Sequence, residues 1–236
     1  MTDDPPEEPK RRWRNKITGG SSEARALGER VLKKNIRSES SRRWIERQIN
    51  DPYVARARAE GWRARSAFKL IELDDKYHLI KRGMRIVDLG AAPGGWLQVA
   101  IKRGAGAVVG IDLLEIEPVT GATVFQMDFL DREAPAALLK ALGGKPDLVL
   151  SDMAANTTGH ARTDQIRTGA LAEAAATFAI QHTAPGGAFV TKAFQGGLDA
   201  TLLAELKRTF SSVRHAKPPS SRKGSPEVFL VALGRK

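Results

Sequence analysis

Five short apolar runs between residues 84 and 194 are β-prone. They are "MRIVDLGA" (84–91), "AVVGIDLL" (107–114), "TVFQMDFL" (123–130), "DLVLSDMA" (147–154) and "GAFVTKAF" (187–194). Helical periodicity fills about 95–103, 133–142 and 165–183, with a short link between the second and third runs. Strands that alternate with helices pair in parallel, because each parallel neighbour needs a crossover to bring the chain back. The pattern therefore predicts an α/β fold, a doubly wound Rossmann-like sheet. After a helix at 199–209, "SSVRHAK" and "EVFLVALG" (227–234) read as a hairpin-like closing pair. The last run is apolar enough to insert into the sheet. Seven strands are expected, mostly parallel, with an antiparallel last strand.

Ahead of this core, residues 1–40 carry Pro, Gly, Ser and many charges with no sustained apolar period. They read as a basic, disordered extension with transient helix around 22–35. Residues 41–236 read as the folded domain, with N-terminal helices at 41–83 and the Rossmann-like core at 84–236. "SRRWIERQIN" (41–50) and the whole of 52–80 look helical, the second sharing Ala67, Leu70, Ile71 and Asp74 on one face and stopped by Lys81-Arg82-Gly83. The 236 residues, 42% of them hydrophobic, suffice for one such domain plus an appendage.

Lys and Arg number 38 against 27 Asp and Glu, a net charge of +11. A balance this basic points to a polyanionic partner, most often nucleic acid. The charge is clustered in "KRRWRNK" (10–16), in Arg56, Arg58, Arg63, Arg65 and Lys69, and in "RHAKPPSSRK" (214–223). Trp13, Trp44, Tyr53 and Trp62 lie among these clusters, where aromatic rings stack on unpaired RNA bases; for Trp44 and Trp62, packing of the N-terminal helices is the alternative. With no cysteine and four scattered histidines, neither a disulfide nor a metal centre is expected. The start, "MTDDPPEEPK", is not a secretory signal, and no apolar run reaches membrane-spanning length. A cytoplasmic, metal-independent enzyme fits.

The loop "VDLGAAPGGW" (87–96) leaves a strand and enters a helix. Its small residues, Gly90, Ala91, Ala92, Gly94 and Gly95, let a ligand approach the backbone and the amides of the helix N-terminus. Ala92 and Pro93 break the G-x-G-x-x-G pattern that dinucleotides require. Acidic residues recur at strand ends: Asp88, Asp112, Asp128 and Asp152. Asp112 is spaced to accept bonds from ribose hydroxyls, and Asp128 from an adenine amine. Any one of the four alone reads equally as a helix cap or a turn. Together they imply an adenosine ligand without a pyrophosphate, which S-adenosyl-L-methionine satisfies.

The run of motifs "SAFKL", "VDLGAAPGGW", "DLLEIEP", "SDMA.N" and "KAFQG", ending in "EVFLVALGRK", resembles the FtsJ-type (RrmJ-like) 2′-O-ribose methyltransferases of large-subunit ribosomal RNA. The resemblance covers essentially residues 40–236. It implies an S-adenosylmethionine-dependent methyltransferase fold acting on a uridine ribose of 23S ribosomal RNA within the large ribosomal subunit, as a monomer. It implies a catalytic set of Lys69, Asp152, Lys192 and Glu227. By the same matching, Gly94, Trp96, Asp112, Asp128 and Asp152 line the cofactor site. The chain departs from the family at Ala155, where proline is usual, and at Pro226, where Arg or Ser is expected.

A ribose 2′-hydroxyl is a poor nucleophile at neutral pH, so methyl transfer to it needs in-line positioning and then a base or a cation beside the developing alkoxide. Lys192 stands in an otherwise apolar strand. Burial and the like charge of Lys69 are expected to lower its pKa. Neutral, it would take the proton while Asp152 orients it; charged, it would guide by its field. Lys69 and Glu227 would hold the ribose. Other readings are a methyltransferase of transfer RNA or of a messenger cap, a non-catalytic RNA-binding assembly factor, and an NAD oxidoreductase, which the loop disfavours.

Overall fold

The computed structural model describes residues 46, 49–155, 159–194, 199–222 and 224–236. Its contacts divide the chain into 1–50 and Asp51–Lys236. The expected extension at 1–40 lies outside the described residues. In the first unit, Glu46 and Ile49 are helical and the Asn50 amides donate to Glu46 O.

Two helices precede the sheet. Helix α1 (Pro52–Ala59) starts under Asp51, whose carboxylate accepts from Tyr53 N at 3.0 Å, and Pro52 fits the first turn, where no amide partner is needed. Helix α2 (Ala67–Tyr77) buries Ala67, Leu70, Leu73 and Asp74. The single helical stretch expected over 52–80 is thus two helices. The break falls at Gly61, whose φ of 76° is left-handed. The stop also comes before the expected Lys81-Arg82-Gly83: His78, at φ 52°, caps α2, and Asp74 Oδ1 takes the Ile80 N–H at 2.7 Å.

The core alternates β1 (Arg85–Leu89), α3 (Gly95–Lys102), β2 (Ala107–Asp112), β3 (Ala122–Gln126), α4 (Ala134–Leu142), β4 (Leu148–Ser151), α5 (Ala161–His182), β5 (Ala188–Phe194), α6 (Ala200–Thr209), β6 (Phe210–Ala216) and β7 (Glu227–Arg235). The seven strands lie in the order β3-β2-β1-β4-β5-β7-β6. Strands β1 to β5 pair in parallel, and β7 enters antiparallel between β5 and β6. This is the doubly wound sheet expected, closed by its reversed last strand. Strand order reverses between β1 and β4, the place where open α/β sheets bind ligands.

Strand ends differ from expectation. Leu113 and Leu114, read as part of the second strand, are 65% and 67% exposed beyond Asp112, because β2 stops where its pairing with Gln126 ends.

The period of two then sorts the site. Ile86, Val108, Leu148, Leu150, Val190, Phe229 and Val231 pack with α2 and α3 on one face. Val87, Leu89, Val109, Ile111, Val149, Phe189 and Leu230 pack with α4, α5 and α6 on the other. Carrying the first row forward by twos places Asp88, Asp112, Asp152 and Lys192 on the α2/α3 face, and counting back from Phe229 adds Glu227. Sheet alternation alone gathers polar residues from the ends of five strands on one side.

Candidate active site

From Leu89 the chain turns through Gly90 to Gly94 before entering α3. Gly90 N and Ala91 N donate to Ile111 O at 2.9 and 3.1 Å, and Ala92 N donates to Asp112 Oδ2 at 2.9 Å, so the turn is fastened to the end of β2. A Cβ on Gly90, φ 77°, would come within 2.5 Å of Met153 Cγ. Gly94, φ 102°, is the N-cap of α3 and no side chain caps that helix, whose first-turn N–H groups therefore suit an anionic group.

Beside this turn lies a cavity of about 310 Å³, lined by Gly90, Ala92, Asp112, Asp128 and Asp152, with apolar wall from Phe129. Its size is that of a small-molecule site. Asp112 Oδ1 accepts from Leu114 N and Asp128 Oδ1 from Leu130 N, each at 2.9 Å. These turn bonds hold both carboxylates in place and leave lone pairs for a ligand's hydroxyls or amine. Gly94 and Trp96, expected in the cofactor site, are not among the lining residues. Trp96 is 3% exposed; its ring packs 5.9 Å from that of Phe229 and its Nε1 donates to Ser66 O. Of those two residues, the backbone is what remains for a ligand.

Asp152 joins the cavity to a charged cluster. Lys192 Nζ donates to Asp152 O at 2.6 Å and lies 3.2 Å from Oδ1. Lys69 Nζ lies 3.4 Å from both Asp152 oxygens and 2.9 Å from Glu227 Oε2. The other Glu227 oxygen accepts from Ser221 Oγ at 2.9 Å. Each lysine is 8% exposed, so Lys192 does not extend to solvent. Burial alone would lower the Lys69 pKa, but the Asp152 and Glu227 carboxylates outweigh it and hold the ammonium above its ordinary value. Burial likewise pushes Asp152 up, and the two lysines, Lys192 first, bring it below the ordinary carboxylate range. The expected like-charge contact between the lysines is replaced by a carboxylate standing between them.

The basic stretch after residue 55, expected to face RNA, is divided: Arg65 and Lys69 turn inward, Arg63 is engaged by backbone carbonyls, and Arg56 and Arg58 stay exposed. The Arg63 guanidinium donates to Pro93 O, Glu117 O and Pro118 O at 3.0, 2.6 and 2.7 Å, clasping the cavity turn to the segment after β2. Arg65 donates to Ser220 O at 2.6 Å and forms an ion pair with Asp51 at 3.1 Å. Arg56 pairs with Glu60 and lies over the Phe68 ring, while Arg58 is exposed. The α1–α2 junction meets several turns rich in carbonyls, and guanidinium groups satisfy them. Trp62 packs against the core cluster under Lys102, in line with its packing alternative. Trp13 and Trp44 lie outside the described residues.

Asp51 and Glu72, which drew no notice in the sequence, help hold the cluster. Glu72 Oε2 accepts from Ser220 N and Oγ at 2.8 and 2.7 Å, and Arg222 pairs with Asp51 at 3.1 Å. These bonds tie α1 and α2 to the segment that carries Ser221 and Glu227. At Ala155, in the family's proline position, the N–H donates to the buried Thr168 hydroxyl at 3.2 Å, a bond proline lacks. Asn156 and the Gln195-Gly196 pair of "KAFQG" lie outside the described residues.

A sequence model of FtsJ-like methyltransferases matches residues 62–235. The chain belongs to that family. FtsJ-like relatives include proteins named ribosomal RNA large subunit methyltransferase E from Azorhizobium caulinodans, 60% identical over 91% of this chain and 91% of its own length, and from Granulibacter bethesdensis, 61% identical over 88% and 91%. A Plasmodium falciparum structure described as a ribosomal RNA methyltransferase superposes with a TM-score of 0.62 at 28% identity, covering 74% of this chain and 98% of that one. The FtsJ-like fold thus carries its carboxylate-lined cavity and its lysine–carboxylate cluster on adjacent strand ends.

Proposed function

We propose that this FtsJ-like protein uses S-adenosylmethionine to methylate a uridine ribose 2′-hydroxyl in 23S ribosomal RNA. Its substrate is the assembled large subunit, and it works as a monomer in the cytoplasm. The observation that carries the reading is the meeting at Asp152 of the cavity and the two-lysine cluster. The names of the relatives support the substrate class.

The residues fit the cofactor. Asp112 offers acceptors to ribose hydroxyls and Asp128 to an exocyclic amine, and the uncapped first turn of α3, from Gly94 to Trp96, suits a carboxylate. When bound, the cofactor supplies an electrophilic methyl group on a sulfonium. Lys192 has two contacts to Asp152, one to the backbone oxygen and one to the carboxylate. So held, its Nζ is placed to guide the hydroxyl by its field or, unprotonated, to accept the hydroxyl proton as the O–C bond would form and the methyl–sulfur bond would break. Lys69, fixed between two carboxylates, stays a cation that stabilises charge developing on the oxygen. Glu227 holds Lys69, and Ser221 holds Glu227.

The test is transfer of labelled methyl from S-adenosylmethionine to large ribosomal subunits lacking the modification, followed by nuclease digestion. The expected product is 2′-O-methyluridine from subunits and none from transfer RNA. Label on transfer RNA alone would favour the transfer RNA reading, and no transfer to either would overturn the enzyme.

A further inference from the structure

Glu72 lies on α2 three positions beyond Lys69, so the two side chains rise from the same face of that helix. Lys69 Nζ donates to Glu227 Oε2 at 2.9 Å, and Glu227 Oε1 accepts from Ser221 Oγ at 2.9 Å. The residue before it, Ser220, gives both its N–H and its hydroxyl to Glu72 Oε2, at 2.8 and 2.7 Å. These bonds close a ring that runs from Lys69 through Glu227, Ser221, Ser220 and Glu72, then back along one turn of α2. Its two crossings join residues 158 and 148 positions apart in the chain.

The backbone of Glu227 is set by β7, in register with Phe194 of β5. Strand pairing does not choose a rotamer for a residue at the strand's end. The Ser221 hydroxyl makes that choice, and the anchoring of Ser220 aims Ser221. These two serines are 1% and 4% exposed, so neither can exchange its partner for water without moving the chain. The Glu72 carboxylate is itself fixed from α1, where the Tyr53 hydroxyl donates to Oε1 at 3.4 Å. None of Glu72, Ser220 and Ser221 lines the cavity beside the glycine turn.

We propose that Glu72 is a positioning residue for methyl transfer: through Ser220 and Ser221 it orients Glu227, which in turn fixes the Lys69 ammonium beside Asp152. This rests on the reading of the lysine–carboxylate cluster as the methyl-transfer site. With the ring closed, Lys69 Nζ stands 3.4 Å from both Asp152 oxygens. With it open, the Glu227 carboxylate is free to turn and the ammonium loses one of its two anchors. The step that uses the cluster slows, and cofactor binding does not.

The experiment is single-turnover methyl transfer from labelled S-adenosylmethionine to large ribosomal subunits lacking the modification, with cofactor affinity measured by calorimetry. The full chain is compared with Glu72→Ala, Glu72→Gln, Ser221→Ala and the combined Glu72→Ala, Ser221→Ala variant. Glu72→Ala is expected to slow transfer by roughly 10–100-fold, the worth of a hydrogen bond to a charged group, at unchanged cofactor affinity. Glu72→Gln, whose amide oxygen accepts the same two bonds, is expected to recover most of the rate. One broken link opens the ring, so the combined variant is expected to be no slower than the slower single one, whereas independent losses multiply. If Glu72→Ala does not fold, Ser220→Ala takes its place in the same cycle and is expected to slow transfer by roughly tenfold. Transfer at the wild-type rate, an equal loss of cofactor affinity, no recovery in Glu72→Gln, or multiplied losses in the combined variant overturns the positioning role and leaves the methyltransferase reading standing. Absence of transfer by the wild type overturns both.

Discussion

Asp152 meets three demands at once: it closes the cavity, receives Lys192 on one oxygen, and shares Lys69 with Glu227. The consequence is a pH signature with two limbs. Asp152 has a folded pKa below its unfolded one, so its stabilisation is present above about pH 4 and is lost as the pH falls through the lowered value. Lys69 has a folded pKa above its unfolded one, so its contribution is complete below about pH 10.4 and disappears as the pH rises through the raised value. Replacing Lys69 with Met is expected to cost about 3–5 kcal/mol near neutral pH, as breaking a buried pair does. Urea unfolding should show this penalty constant between pH 5 and 9 and shrinking above pH 10.5 or so. A penalty that grows in alkali would contradict the assignment of charge.

At the scale of elements, the turn from Gly90 to Gly94 is held from three sides, by β2, by Met153 and by the Arg63 clasp. Arg63→Lys keeps the charge but cannot reach three carbonyls at once. Cofactor affinity measured by calorimetry is expected to fall roughly 10-fold, the equivalent of about one lost hydrogen bond, with the overall fold by circular dichroism unchanged. Unaltered affinity would remove Arg63 from the site.

The strands were legible because short apolar, β-prone runs between helical stretches mark the buried strands of an α/β sheet, and so were the carboxylates at their ends. Where each strand stops was not legible, since a strand stops where its neighbour stops, as β2 does at Asp112 beside Gln126. The break at Gly61 was hidden because a glycine inside a helical pattern is tolerated as often as it ends one. The Glu72–Ser220 bond spans 148 residues of sequence, and nothing local marks either partner. The intramolecular bonds of Arg63 and Arg65 were hidden for the same reason: a sequence shows a cation's charge but not the carbonyls that engage it.

At the scale of the whole molecule, β7 does what the final apolar run promised. It pairs with β5 from Ala188↔Leu233 to Phe194↔Glu227, and this register sets Glu227 at the far end of the strand that carries Lys192. Phe229 lies opposite Lys192, fully buried, with its ring 5.5 Å from Lys69 Nζ. Phe229→Ala is expected to cost about 3–5 kcal/mol in chemical denaturation. It should also lower activity while cofactor affinity changes little, since Phe229 does not line the cavity. Equal loss of both would mean that the sheet, not the cluster, was disturbed.

The measurement that bears most directly on the central claim is single-turnover methyl transfer to large ribosomal subunits by the wild type and by Lys192→Ala, with cofactor affinity measured in parallel. The account predicts that transfer to the ribose oxygen falls by about 10²–10⁴-fold while cofactor affinity is retained. Transfer at the wild-type rate by Lys192→Ala would contradict it.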